Sequence, residues 1–206
     1  MSFFEAPPPR PERKPRPRYR TPHGWHPPEA VIPGIVPVEL IIGRTDDVAV
    51  AVRRISAYET GFELDLVTLT RVELDLDPFD LGYRRRRDNP LDPDLLRFGV
   101  EFADGRKATN VDVESPYDES SEGRLVLHHH GGGGGGGGDW ETGYWVSDLP
   151  PEGPLAFVVE WPGVGLGLSR KEIDSQIVRD AAARSQVVWE LPERPPGIYR
   201  DDDEDD

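Results

Sequence analysis

A regular alternation of apolar and charged residues begins at Phe62 and constrains the fold more than any other feature of the chain. Every second residue from Phe62 to Leu76 is apolar or threonine, and most of the residues between them are charged. Because successive side chains of a β-strand point to opposite faces, this pattern predicts a strand with one buried face. A strand of about 15 residues would be unusually long, so we expect a bulge or bend near residues 68–70.

Two further runs have the same period and are bounded by turn signals. They place large apolar residues at alternate positions: Leu96, Phe98, Val100 and Phe102, and then Leu155, Phe157, Val159 and Trp161. The sequences Glu59-Thr60-Gly61 and Asp104-Gly105 are typical of hairpin connections. The pattern predicts a mainly β fold, an immunoglobulin-like β-sandwich of about 7–8 strands.

One helix is predicted, over residues 169–185. Ser169 and Glu172 have the spacing of a capping box, in which each side chain bonds to the other residue's backbone amide. Ile173, Ile177 and Ala181 then follow at helical spacing. We therefore expect a single C-terminal helix beside the strands.

Eight consecutive glycines, residues 131–138, follow His128, His129 and His130. Glycine offers no side chain to pack and loses the most backbone freedom on ordering, so we predict a flexible loop over residues 128–139. A phosphate-binding loop needs Gly-Lys-Ser/Thr before a helix, or a βαβ unit, and neither is present. Two imidazoles on one face make only a weak metal site. We predict no cofactor and no functional metal site, only adventitious affinity for nickel or zinc.

The ends of the chain differ from its middle in charge and composition. Residues 1–32 are rich in proline, residues 1–20 carry six basic side chains against two acidic ones, and the last six residues are all acidic. Such segments bury too little apolar surface to offset the entropy of ordering. We predict a disordered Pro/Arg-rich arm over residues 1–32, a β-sandwich domain over residues 33–191 and a disordered acidic tail over residues 192–206.

Composition narrows the class of protein further. The net charge of −15 disfavours general binding of nucleic acid. The absence of cysteine excludes disulfides and thiolate nucleophiles, and we expect a reducing, cytoplasmic location. The start of the chain lacks the basic and apolar regions of a signal peptide, and no apolar run approaches the roughly 20 residues that span a bilayer. No association with a membrane is expected.

Seven residues are candidates for contact with a partner: Arg84, Arg85, Arg86, Arg87, Trp140, Tyr144 and Trp145. The four arginines form the densest cationic block and suit phosphates or an acidic protein surface. The three aromatic residues follow the glycine run, where they would anchor the loop or form a binding platform. No motif of a hydrolase nucleophile or of a zinc protease is present, so we predict no catalytic residue and no enzymatic activity.

Two segments resemble a known group of proteins. One runs from Leu149-Pro150-Pro151 to Glu160-Trp161-Pro162, and the other covers residues 96–110. Both are similar to segments of a family of uncharacterised actinobacterial proteins that share them around a glycine-rich loop. The resemblance covers roughly residues 33–189 and implies that the glycine run belongs to the domain. No activity is known for the family, so the resemblance implies no functional residue.

These observations predict a non-catalytic intracellular module that binds a protein partner or self-associates. The basic arm and the acidic tail would speed association and set its orientation, and the arm could itself be the ligand of an aromatic groove. Two alternatives stay open here. One is a small-molecule-binding or enzymatic β-sandwich with the glycine loop as a lid, and the other is nucleic-acid binding through residues 84–87 and the arm.

Overall fold

Antiparallel β-sheets form most of the computed structural model, which describes residues 17–20, 26–74, 92–112, 124–130, 134–136 and 139–193. Only the backbone is described for residues 134–136. The described strands are accompanied by one α-helix, α1 (Gln176–Ala182), which confirms the prediction of a mainly β fold with one C-terminal helix. In the part of the chain that is described, no helix has both the length and the apolar character needed to cross a membrane.

The described residues form thirteen strands, many of them short. In chain order they are β1 (Val31–Ile32), β2 (Gly34–Val36), β3 (Leu40–Arg44), β4 (Val48–Tyr58), β5 (Gly61–Thr70), β6 (Arg97–Glu101), β7 (Lys107–Thr109), β8 (Leu127–His129), β9 (Gly134–Gly136), β10 (Asp139–Ser147), β11 (Pro154–Trp161), β12 (Leu166–Asp174) and β13 (Gln186–Val187). The number exceeds the predicted seven or eight because apolar runs are divided. Pro37, for example, has no amide hydrogen and lies between β2 and β3.

The strands form three sheets. The largest has seven strands in the order β2-β4-β5-β10-β8, with β3 also paired to β4 and β9 to β10. A second sheet has the order β12-β11-β6-β7, and β1 and β13 form a two-stranded ladder. One hydrophobic cluster contains residues of both larger sheets and of α1, among them Phe62, Phe157 and Ala181.

The alternating segment from Phe62 forms β5, in the middle of the largest sheet. Phe62, Leu64 and Leu66 are buried as predicted. The strand ends at Thr70, however, and the side chain of Val72 is 46% exposed. The alternation therefore predicts the buried face correctly but continues beyond the strand.

The expected irregularity lies in the neighbouring strand, β4, rather than in β5. The register between the two strands shifts between Val52 and Arg54. A bulge inserts one residue and reverses the faces of all positions that follow it. Accordingly Val50 and Val52 are buried before the shift, whereas Ile55 and Ala57 are buried after it.

The turn at Asp104-Gly105 confirms the predicted hairpin. Gly105 has a φ of 86°, and the Phe102 amide donates to the Arg106 carbonyl at 2.8 Å. A positive φ favours glycine because it has no Cβ. The returning strand β7 is short and leads to Asn110.

The predicted helix is wrong over its first half. Ser169 and Glu172 lie in β12, paired with β11, and form no capping box. In this position the segment Leu166–Asp174 supplies hydrogen-bond partners for the backbone amides and carbonyls along one edge of β11, which would otherwise have none in the sheet. The helix begins only at Gln176, whose amide donates to Asp174 Oδ1 at 2.9 Å.

The predicted loop over residues 128–139 also requires correction, because strands occupy part of it. His128 in β8 pairs with Trp145, and Gly134 in β9 pairs with Glu141. Both short strands use the same edge of β10, whose backbone groups find partners there. Residues 131–133 and 137–138 lie outside the described residues.

Candidate interaction surface

The predicted contact residues do not form one surface. Residues 84–87 lie outside the described residues. Trp140, Tyr144 and Trp145 all lie on β10, but the alternation of the strand directs neighbouring side chains to opposite faces of the sheet. Their burial decides what each can contact.

Tyr144 belongs to the interior between the two larger sheets. It is 1% exposed, and its ring lies 5.5 Å from that of Phe98. Asn110 joins the same contact, since its Nδ2 donates to the Tyr144 hydroxyl at 3.3 Å and to the Leu96 carbonyl at 2.9 Å. Its Oδ1 accepts the Phe98 amide at 2.8 Å. Buried polar groups need such partners, so Asn110 and Tyr144 together fix one sheet against the other.

Trp145 lies on the opposite face of β10 and is also buried. Its ring meets that of Tyr58 edge-on at 5.7 Å. Gly61 makes room for it, because a Cβ at that position would lie 2.7 Å from Trp145 Cζ2. Of the three aromatic candidates, only Trp140 keeps partly exposed surface. The platform beside the glycine run therefore has one available ring rather than three.

The histidines meet a fourth one from the N-terminal segment. The ring of His26 lies 5.2 Å from that of His128 and 6.0 Å from that of His130. Burial first, and then the charges of the nearby His26, His129 and His130, lower the pKa of His128 to about 4. Among the described residues, no group of three or more histidine, aspartate or glutamate side chains could hold a metal ion.

A chain of polar contacts continues from His130 across the sheet. His130 Nε2 lies 3.2 Å from Glu63 Oε1, and the Tyr58 hydroxyl donates to Glu63 Oε2 at 2.7 Å. Burial, and then the hydrogen bond to Glu63, raises the pKa of Tyr58 well above its usual range. Tyr58 is thus held as a neutral hydrogen-bond donor, which suits a packing role.

The N-terminal and C-terminal segments pair with each other on the molecule. β1 pairs with β13, and the Val188 amide donates to the Ala30 carbonyl at 2.8 Å. Further out, the Arg20 amide donates to the Pro192 carbonyl at 2.8 Å, within a parallel bridge between Arg20 and Glu193. Part of the segment that composition predicts to be an arm is therefore structured. We call the surface formed by residues 26–32 and 185–193 the terminal face.

The terminal face is apolar and exposed. Val187 is 57% exposed and Trp189 68%. A groove of about 240 Å³ runs beside them, and we call it the terminal groove. Pro27, Pro28, Val187, Trp189 and Leu191 contribute its apolar walls, and the tip of the β4–β5 hairpin closes one side.

Charged groups surround the terminal groove. Glu29, Glu59 and Glu190 line it together with Arg20 and His26. Sequence reasoning missed this site because its walls come from remote segments of the chain. The signal that could have revealed it is the apolar run Val187-Val188-Trp189, which follows the helix and shows no alternation of apolar and polar residues.

Comparison with known proteins identifies no relative: no family model fits the chain, and neither the curated proteins nor the solved structures contain a match. The geometry of the described residues is therefore the basis for any functional assignment.

Proposed function

We propose that the chain is a non-catalytic protein-interaction module that self-associates through the terminal face. The observation that carries the proposal is the cluster of exposed apolar side chains on the paired end segments, above all Trp189. Contiguous exposed apolar surface on a folded protein typically marks a binding site. Tryptophan is among the residues that contribute most to binding when they become buried in an interface.

The ends of the chain supply complementary charge for this association. Residues 1–20 carry a net positive charge, and residues 201–206 are all acidic. The bridge between Arg20 and Glu193 places the end of the basic segment beside Glu193, eight residues before the acidic run. Because both signs of charge occur in one polypeptide, a second copy is a complementary partner, and opposite charges speed such an encounter.

Within the same proposal, the two larger sheets form an immunoglobulin-like β-sandwich, and the module works in the cytoplasm. The sandwich is supported by the shared hydrophobic cluster and by the contact between Phe98 and Tyr144. The location is supported by the absence of cysteine. In this view the sandwich is a rigid carrier for the terminal face.

Sedimentation velocity of the full chain, over a range of concentrations and at low and high salt, tests the proposal. We expect the sedimentation coefficient to rise with concentration, and the association to weaken when salt screens the charged ends. Trp189→Ala should weaken association about tenfold or more. Leu168→Ala is the matched control, because Leu168 is 73% exposed on β12, outside the terminal face. A monomer at all concentrations, or equal effects of the two substitutions, would contradict the proposal.

A further inference from the structure

We propose that residues 12–16, which we call the strap, lie in the terminal groove of their own chain and restrict access to the terminal face. The occupancy of the groove goes beyond the proposed function, because it holds for a single molecule. The restriction rests on the proposed function, since a groove filled by the strap is closed to a second copy. Three features carry the inference: the direction of the chain at Arg20, the charge of the groove, and the prolines of the strap.

The direction of the chain at Arg20 leads the strap into the groove. Arg20 forms a parallel bridge with Glu193, and its amide donates to the Pro192 carbonyl at 2.8 Å. In a parallel pair, the residues that precede the bridge on one segment run beside those that precede it on the other. Counting back equally from both bridged residues places residues 12–16 beside residues 185–189. The latter range includes wall residues of the groove, so the strap reaches it without a reversal of the chain.

The charge of the groove is opposite to that of the strap. Glu29, Glu59 and Glu190 line the groove together with Arg20 and His26. Neither Glu59 nor Glu190 forms an ion pair with another residue of the described ranges. The strap contains three basic side chains and one acidic one. Because a short stretch of the same chain joins strap and groove, the strap has a high effective concentration there, which favours it over a segment of a second copy.

Prolines suit the strap to this path. Pro15 lies within the strap, and Pro17 follows it directly. Proline fixes its own φ and restricts the preceding residue to extended conformations. Lys14 and Arg16 therefore favour the extended form, so that the strap loses little entropy when it docks. Grooves with an aromatic wall, such as the one that Trp189 provides here, bind extended proline-containing segments for this reason.

Zero-length cross-linking of carboxylates to amines, read by mass spectrometry, tests the occupancy on the full chain at concentrations below those at which it self-associates. Lys14 is one of three lysines in the chain, so its links are readily identified. We expect them to concentrate at Glu59 and Glu190 rather than at Glu39 or Glu152, which are exposed outside the groove. An equimolar mixture of unlabelled and isotope-labelled chains separates links within one chain from links between chains, because only the latter combine both labels.

Variants of the full chain sharpen the cross-linking measurement. Trp189→Ala removes the aromatic wall and should lower the yield of links to the groove severalfold, whereas Leu168→Ala, outside the groove, should leave it unchanged. Links of Lys14 that combine both labels would overturn the strap as a contact within one chain. Links spread evenly over exposed carboxylates, or gathered on the acidic run 201–206, would overturn the groove as its site.

A reversible lock tests the restriction of the terminal face. Lys14 and Val187 lie six residues before the two bridged residues, and the chain has no cysteine of its own. In the double variant Lys14→Cys/Val187→Cys we expect a disulfide within one chain, which requires Cα atoms within about 7 Å of each other. The matched control Lys14→Cys/Leu168→Cys should form none. Failure of the first variant to form the disulfide would overturn the path of the strap.

Sedimentation velocity of the locked variant then measures the restriction itself. Association should be about tenfold weaker for the oxidised protein than for the same protein after reduction. Equal association of the two forms would overturn the restriction.

The cross-linking and sedimentation measurements separate this inference from the proposed function. Links from Lys14 to the groove of its own chain, in a protein that stays monomeric at all concentrations, would support the strap and contradict self-association. Self-association without such links would overturn the strap and leave the proposed function standing. Absence of both would overturn both proposals.

Discussion

Two tryptophans, Trp161 and Trp189, show how differently the interior and the terminal face are built. Trp161 closes the alternation of β11, is fully buried, and donates from Nε1 to the Asp94 carbonyl at 3.1 Å. Trp189 follows a two-residue strand and is 68% exposed. The same side chain therefore contributes to stability at one position and is available to a partner at the other.

The two regions also differ in how much pairing supports them. β4 and β5 pair over most of their length, whereas β1 and β13 share only two residue pairs. A short two-stranded ladder is at best marginally stable by itself. Segments of low local stability open first and are those from which binding surfaces are commonly drawn. The comparison teaches that the interior is specified by its alternating pattern, whereas the terminal face depends on pairing between segments remote in sequence.

The largest expected effect separates the two tryptophans directly. Trp161→Ala should lower the free energy of unfolding by about 3–5 kcal/mol, because it leaves a cavity in the interior. Trp189→Ala should change it by less than about 0.5 kcal/mol, as surface substitutions usually do. Denaturant unfolding of both variants measures the contrast. Similar losses would mean that the terminal face is part of the core.

A second substitution tests the polar contact between the sheets. Asn110→Ala leaves the Phe98 amide and the Leu96 carbonyl without their side-chain partner. An unsatisfied buried group costs about 1–3 kcal/mol, and we expect a total loss of about 3 kcal/mol in the free energy of unfolding. Near-UV circular dichroism, which reports the packing of Tyr144, should change in the same variant. A loss below about 0.5 kcal/mol would show that this contact does not hold the sheets together.

A pair of glycines tests how closely α1 approaches the sheet. A Cβ at Gly34 would overlap the backbone oxygen of Ala181, whereas one at Gly167 would meet nothing within 4 Å. We expect Gly34→Ala to destabilise the chain by about 1–3 kcal/mol through overpacking, and Gly167→Ala to have almost no effect. Thermal unfolding of the two variants compares them under identical conditions. If both behave like the unchanged chain, the helix does not pack against β2.

The smallest expected effect concerns pH and the contact between His26 and His128. Because burial lowers the pKa of His128 to about 4 from a usual value of 6.5, the unfolded chain binds more protons between these values. Its contribution to stability is therefore present above pH 6.5 and is lost as the pH falls towards 4. His128 is only half-buried, so solvent screening limits the loss to about 1 kcal/mol.

His128→Gln should flatten the dependence of unfolding free energy on pH in this window. His129→Gln should change the slope less, because His129 is exposed and its charge affects the pKa of His128 less than burial does. An unchanged slope in the His128 variant would show that its ring remains accessible to protons in the folded chain.

The sequence predicts the interior far better than the terminal face, for a physical reason. Alternation reports which side chains face a core, so the buried positions of β5 and β6 could be read directly. The bulge in β4 could not, because it depends on how two strands align. The start of α1 was missed because Ser169 and Glu172 satisfy a local helix rule that pairing with β11 overrides. The hydrogen bonds of Asn110, and the one between Arg20 and Pro192, join residues that are remote in sequence, so no local pattern predicts them.

Hydrogen exchange measured by mass spectrometry, as a function of protein concentration, tests the central claim most directly. We predict that amides of residues 26–32 and 185–193 become more protected as the concentration rises, while those of β5 and β11 stay unchanged. Trp189→Ala should abolish the added protection, and Leu168→Ala should leave it intact. Protection that does not depend on concentration at the terminal face, or that rises elsewhere instead, would contradict the account.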